Sequence, residues 1–318
     1  MWKIEAHNAK HWGVAPSHTF DELMLKYLEE VQGQKRSEER DMYALKRLKP
    51  FFTGCDMRKT RRATYRAYIK KRREDGVKVA TISRELDLLS SAINYARHEW
   101  EWDIPNHTLC LRLPKSEERV RSLTVAEARR LIAEAEKLRR APHLVSFIRV
   151  ALNTGCRKNE LLKLQWERVD LKANLILLGE RDTKAARRRS VPLNAEARDE
   201  MLALAQFRAT HCPDSPWVFA HRDGSRLGSV RTAFNTALKK AGIKDFRIHD
   251  LRHTCASWLV SSGVSMQAVR DLLGHSTVAM TERYAHLAPE SIRAAVAVLD
   301  GHAQSGYIGS EDELALAS

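Results

Sequence analysis

Residues 274–287 read GHSTVAMTERYAHL, and the fate of one side chain in them, Tyr284, decides how the chain is understood. Gly274 punctuates the chain, and Ser276 is placed to cap a helix over 277–287. Tyr284 would then lie two turns along that helix, nine residues after His275. Taken alone, a tyrosine on a short amphipathic helix reads as core packing. A phenolic hydroxyl surrounded by cations has a second use: it can take a phosphodiester covalently onto the protein.

Polar groups of the right kind recur elsewhere in otherwise packable chain. Residues 153–164, NTGCRKNELLKL, put Arg157 after a turn and at the start of a helix, with Glu160 three residues on to hold it or cap the turn. Residues 181–190, RDTKAARRRS, place Lys184 in a hairpin turn, where a lysine ordinarily faces solvent. Residues 248–259, IHDLRHTCASWL, carry His249 and Arg252 at a spacing that puts both on one face of a helix start. His249 and His253 are four apart, as in zinc helices. The run is HDLRH rather than HExxH, with no third ligand, so no metal is expected and His253 reads as a packing or capping residue. Trp258 and Leu259 are assigned to the core.

Composition points the same way. The 318 residues carry a formal charge of +14 with 43% hydrophobic residues, enough apolar material for two domains and a charge suited to a polyanion. Nine Lys or Arg fall between Arg58 and Arg73. A solvated helical face is the bland reading of such a run. Its recurrence in residues 183–190 favours a nucleic-acid backbone footprint, drawn from Arg58, Lys59, Arg61, Arg62, Arg66, Lys70, Lys71, Arg187, Arg188 and Arg189. No run approaches the length of a membrane span, and residues 1–13, MWKIEAHNAKHWG, hold no apolar leader, so a cytoplasmic protein without membrane contact is expected. The five cysteines are scattered, without a CxxC, which fits free thiols. There is no phosphate-binding loop, two-metal carboxylate cluster or G-x-S-x-G elbow, and no cofactor is expected.

The periodicity predicts a mainly α chain with a small antiparallel β-sheet. Helices over 19–32, 37–49 (ended by Pro50), 57–74 and 80–99 make a bundle, with Phe20, Leu23, Leu25, Tyr27 and Leu28 on or near the buried face of the first. Residues 1–16 read as an arm or linker, 17–102 as the helical domain and 103–120 as an interdomain linker. Thr124 with Glu127 forms a capping-box pattern. Helices over 142–153 and 157–165 precede a hairpin of 175–178 and 190–193. Helices over 195–208, 228–240, 251–261, 265–273 and 277–287 follow. A last apolar helix occupies 289–300, and 301–318 reads as a disordered tail.

In this order and spacing, TGCRKNELLKLQW, the TK turn with RRRSVPL, HDLRHTCASWLVSSG and LLGHSTVAMTERYAHL resemble the tyrosine recombinases, most closely the integrases of temperate phages and prophages. The resemblance implies a catalytic domain over 121–288 and a core-binding domain over 17–102. It implies Tyr284 as nucleophile, Arg157, Arg252 and His275 as stabilisers of the phosphorane, His249 as phosphate contact or proton carrier, Lys184 as general acid and Glu160 as support. Asp250, Leu251, His253 and Thr254 belong to the motif as orienting residues. It further implies double-stranded attachment or recombination sites as substrate and a homotetramer on synapsed DNA. The free chain would be a monomer or weak oligomer, the 289–300 helix would dock in cis or in trans, and an accessory DNA-bending protein and an excisionase could take part. A cellular Xer-like or mobile-element recombinase would use the same residues, and a noncatalytic DNA-binding regulator is the other class. Family members often carry an arm-binding domain ahead of the core-binding domain, and only about sixteen residues precede the first predicted helix here.

Overall fold

The computed structural model describes residues 17–35, 38–111, 113–114, 121–179, 188–288 and 296–297. Two compact units divide the chain, Met1–Glu118 and Arg119–Ser318. The predicted arm (1–16), the hairpin tip with Lys184 and Arg187, the bulk of the last predicted helix and the tail lie outside the described residues. Among those described, no helix is long and apolar enough to cross a membrane.

The first unit is helical. Helices α1 (Phe20–Val31), α2 (Glu38–Phe52), α3 (Arg62–Glu74) and α4 (Val79–Glu99) enclose one core. Thr19 caps α1 by accepting the Glu22 N–H at 3.2 Å. Burial follows the 3.6-residue period through Phe20, Leu23, Met24, Tyr27 and Val31. Leu25, expected near that face, is 64% exposed because it lies off this stripe. Pro50 does not end α2. The helix runs through it to Phe52, which is fully buried against Phe20, Tyr65 and Tyr68. That burial offsets the single backbone bond a proline forfeits near a helix end.

Helix α3 starts later than the pattern suggested. Asp56 takes the Arg58 N–H on its carboxylate and the Lys59 and Thr60 N–H groups on its carbonyl, while Met57 donates its N–H to the His18 carbonyl. Residues 57–60 are thereby held in a turn, which moves Arg58 and Lys59 off the helix. Helix α4 buries Ile82, Leu86, Leu89, Ile93 and Ala96, as its spacing predicted. Beside them Glu85, 2% exposed, accepts from Tyr68 Oη (2.7 Å) and from Arg72 Nε and Nη2 (3.0 and 2.7 Å). Removing one partner of such a group leaves the others desolvated and unpaired. Glu85→Ala is expected to cost about 3 kcal/mol, read as a lower urea midpoint by tryptophan fluorescence. An unchanged midpoint would show that the cluster adds no stability.

The second unit opens with α5 (Val125–Glu136), whose capping box closes as the sequence indicated: Glu127 N–H to Thr124 Oγ1 at 3.1 Å and Thr124 N–H to the Glu127 carboxylate at 2.9 Å. Helix α6 (His143–Thr154) ends on Gly155 in the left-handed region (φ 62°), and the short α7 (Lys158–Leu162) follows. A three-stranded antiparallel sheet, β1 (Val169–Asp170), β2 (Leu175–Leu178) and β3 (Arg189–Pro192), pairs Ile176 with Val191 and Leu178 with Arg189. Its first strand is two residues long, too short to leave a period in the sequence. Helices α8 (Ala195–His211), α9 (Arg231–Lys240), α10 (Asp250–Ser261) and α11 (Met266–Leu273) complete the frame. Trp258, only partly buried, donates Nε1–H to the Leu123 carbonyl (2.9 Å), and the Leu123 N–H donates to Thr254 Oγ1 (3.0 Å), so α10 is tied to the start of the unit.

The helix expected over 277–287 is broken. One turn, α12 (Ala279–Glu282), gives way to a 3-10 turn at Ala285–Leu287, with Tyr284 between them. Ser276 does not cap α12; its hydroxyl approaches the Met280 sulfur instead. Thr281, fully buried, turns its hydroxyl to the His275 ring (2.8 Å), and that tertiary bond holds the segment in its short form.

Candidate active site

Four elements converge in the second unit. Arg157 is the N-cap of α7, as expected from the turn before it. Its N–H and Nη1 donate to Glu160 at 2.7 and 2.8 Å, and its Nη2 donates to the Gly274 carbonyl at 3.3 Å. His249 caps α10 and Arg252 lies one turn on. Arg252 is 4% exposed and donates Nη1 to the Gly155 carbonyl (2.8 Å) and Nη2 to the Leu273 carbonyl (2.6 Å). Glycine is required at both anchoring turns. A Cβ on Gly155 would come within 2.4 Å of Leu273 Cδ2, and one on Gly274 (φ 64°) within 2.8 Å of Arg189 Nη1.

Glu160 is 3% exposed and binds two arginines at once. Besides Arg157 it accepts from Arg189 Nη1 and Nη2 at 3.2 and 2.8 Å. Burial pushes its carboxyl up, but Arg189 and Arg157 outweigh that and leave it below the ordinary value. Arg189, grouped by the sequence with the open basic surface, therefore points inward as the second cation of a buried carboxylate. No local pattern reports this, because the partner lies 29 residues away in the chain.

The groups around this pair are electrically strained in one direction. Burial lowers Arg252 to about 10, helped by the charge of Arg157. Burial, then Arg252 and Arg157, lower His275 to about 3, and the same combination of burial and Arg252 lowers His249. Each of these groups gains from a negative charge placed among them, as an anion restores what burial and mutual repulsion remove. Tyr284 is 1% exposed; burial raises its hydroxyl to about 12, against the opposing pull of Arg283 and Arg252. His253 meets that hydroxyl directly: its Nδ1 lies 2.5 Å from Tyr284 Oη.

The structure thus brings together Arg157, Glu160, His249, Arg252, His275 and Tyr284, while Lys184 is outside the described residues. Sequence reasoning gave His253 a packing, capping or orienting role without its contact to Tyr284, and it did not pick out Arg283, whose only signal is that it precedes Tyr284.

The low histidine values fix a pH dependence. The folded chain resists protonating His275 and the unfolded chain does not, so their contribution is whole above the ordinary value of 6.5 and is lost as pH falls towards about 3. His275→Gln is expected to flatten the fall in thermal midpoint between those limits. Parallel curves for variant and parent would contradict the assignment.

In the first unit, Arg61, Arg62, Arg66, Lys70 and Lys71 are exposed on or beside α3. Arg66 and Lys70 with Arg73 line a 710 Å³ cavity floored by Ile69, Leu111 and Leu113. Arg58 pairs with Asp103 (3.1 Å) and Lys59 with Asp56 (3.5 Å). Arg188 is exposed beside β3.

A buried tyrosine under the charges of Arg283 and Arg252, on a helical frame with a small antiparallel sheet, defines the class. Residues 121–291 match the phage integrase family. The chain is 30% identical over 329 aligned positions to the integrase of Salmonella phage P22, spanning 91% of this chain and 82% of that protein. It is 31% identical over 279 positions to the shufflon-specific DNA recombinase of Escherichia coli, spanning 82% and 67%. Its fold is similar to that of a lambda integrase tetramer bound to a Holliday junction, with TM-score 0.69 and 20% identity over 88% of this chain and 84% of that one. The chain belongs to the phage integrase family, and is a tyrosine-recombinase-type enzyme of site-specific DNA recombination.

Proposed function

We propose that the chain cuts and rejoins duplex DNA at specific sites with Tyr284 as the nucleophile, integrating or excising phage or prophage DNA. The observation that carries this reading is the buried Tyr284 hydroxyl, held by His253 and subject to the charges of Arg283 and Arg252, with Arg252 and Arg157 also acting on His275. Attack of Oη on the scissile phosphorus forms a 3′-phosphotyrosine and expels the 5′ oxygen. Extra charge then builds on the non-bridging oxygens, where Arg157, Arg252 and His275 supply donors and His249 adds a fourth group. Lys184 protonates the leaving oxygen. Glu160 sets the fork of Arg157 and holds Arg189. The phosphotyrosyl bond conserves the energy needed for religation, so strand transfer draws on neither ATP nor a metal.

In this reading residues 17–102 grip the duplex with the exposed face of α3, 103–120 link the units, 121–288 catalyse and 289–300 dock between protomers. Four protomers exchange strands on two synapsed duplexes, in the cytoplasm, with a DNA-bending protein and an excisionase setting direction. The likeness to the P22 integrase supports the phage assignment, and that to the shufflon recombinase supports a mobile-element alternative. The test is to incubate the chain with end-labelled fragments of the element's junctions, recover covalent adducts, map the cleaved positions and identify the linked residue by mass spectrometry. A Tyr284 adduct at the phage–host junction is expected. An adduct elsewhere favours the alternative, and binding without any adduct would make the chain a regulator.

A further inference from the structure

The proposed nucleophile needs somewhere to send its proton. Tyr284 Oη is shut away from bulk water, and its environment raises the hydroxyl to about 12, so little phenolate exists at neutral pH. A base must therefore touch the hydroxyl. His275 is engaged elsewhere, with Nδ1 on Thr281 Oγ1 at 2.8 Å. His253 does touch it, with Nδ1 at 2.5 Å from Oη and the ring centroids 5.9 Å apart. The edge of its ring packs against His249 at 5.0 Å and 87°, which fixes the imidazole plane. His253 also sits on α10 one residue after Arg252, so the same helix delivers a phosphate donor and the contact to the nucleophile.

We propose that His253 is a further catalytic residue, the general base that takes the phenolic proton as Tyr284 attacks the phosphodiester. The proposal rests on the assignment of Tyr284 as nucleophile. In the forward step the Oη–P bond forms and the P–O5′ bond breaks. The Oη proton passes to His253 Nδ1, whose ring carries its other proton on Nε2, and the 5′ oxygen receives a proton from Lys184. In religation the 5′ hydroxyl returns its proton to Lys184 while the imidazolium of His253 reprotonates the departing Oη. One histidine thus serves both directions, as a reversible strand transfer requires.

Charged and titratable groups around this pair are His249, Asp250, Arg252 and Cys255 on or beside α10, His275 after α11, and Arg283 next to Tyr284. His249 and His275 already sit low, so a rising limb of the pH profile that vanishes with His253 is not theirs.

The experiment measures single-turnover cleavage against pH on a nicked duplex carrying the position mapped for the parent chain. It compares the parent, His253→Ala, His253→Gln and Tyr284→Phe, each checked for its thermal midpoint and duplex binding. His253→Ala is expected to slow cleavage about 10²-fold or more, to lose the rising limb of the pH profile and to recover part of its rate with added imidazole. His253→Gln, which can hold the hydroxyl but cannot take its proton, is expected to remain slow. Full activity in His253→Gln would reduce the residue to an orienting contact. Faster cleavage in His253→Ala would make it a clamp on the resting nucleophile. Either result overturns the proposal. Nitrogen NMR of the DNA-free parent is an independent check that needs no variant: an unprotonated Nδ1 with Nε2–H is expected, and a protonated Nδ1 donating to Oη would overturn it. An adduct that survives Tyr284→Phe would instead overturn the nucleophile assignment itself.

Discussion

Replacing Tyr284 with phenylalanine is expected to abolish the covalent DNA adduct, a loss of at least about 10⁴-fold in cleavage, while duplex binding stays near the parent value. The substitution keeps the ring that fills the small core of Ala256, Val260, Val269 and Leu273. It removes one oxygen and its bond to His253. A net hydrogen bond is worth about 1 kcal/mol, so the folded state should survive with a slightly lower thermal midpoint. In the function proposed above, binding draws on cationic side chains that the change does not touch. The measurement is adduct yield on the mapped nicked duplex, set beside a gel-shift titration. Adduct in the variant would mean that another side chain attacks.

Arg252→Lys should be nearly as severe for chemistry, lowering single-turnover cleavage about 10²- to 10³-fold although the charge is retained. The guanidinium spans two carbonyls, Gly155 and Leu273, on separate turns. A single ammonium cannot hold both and still present a rigid fork to phosphate. The site would keep its charge and lose its geometry. His275 provides a second readout, because Arg252 is the charge that contributes most to its low value. In Arg252→Ala that value should rise, visible as a His275 titration moving upward in proton NMR. An unmoved titration would show that the two side chains do not sense each other. Cleavage by Arg252→Lys at the parent rate would show that charge alone suffices.

Much of this site was legible because its chemistry is concentrated in short runs. Arg157 with Glu160, and His249 with Arg252, lie within single helical turns, so local spacing reports their shared faces. The α4 core and the Thr124–Glu127 box were readable for the same reason. What the sequence concealed depends on distant partners. Arg189 looks like one more surface cation until Glu160 is brought beside it. His253 looks like packing until the chain returns 31 residues later with Tyr284. The break in the 277–287 helix is set by the bond between Thr281 and His275, which no helical period can encode. Pro50 misled in the opposite sense: its local preference was overridden by the demand of Phe52 for the core.

The two arginine anchors have a bearing on timing. Arg157 reaches forward 117 residues to the Gly274 carbonyl, and Arg252 joins turns at Gly155 and Leu273. The anion pocket therefore cannot close until the ribosome has released residues 273–284, however early the helices of the first unit form. A nascent chain that has completed the first unit therefore carries its basic α3 exposed while the second unit still lacks the carbonyls that hold Arg157 and Arg252. The order of synthesis places the cationic α3 ahead of the site in time.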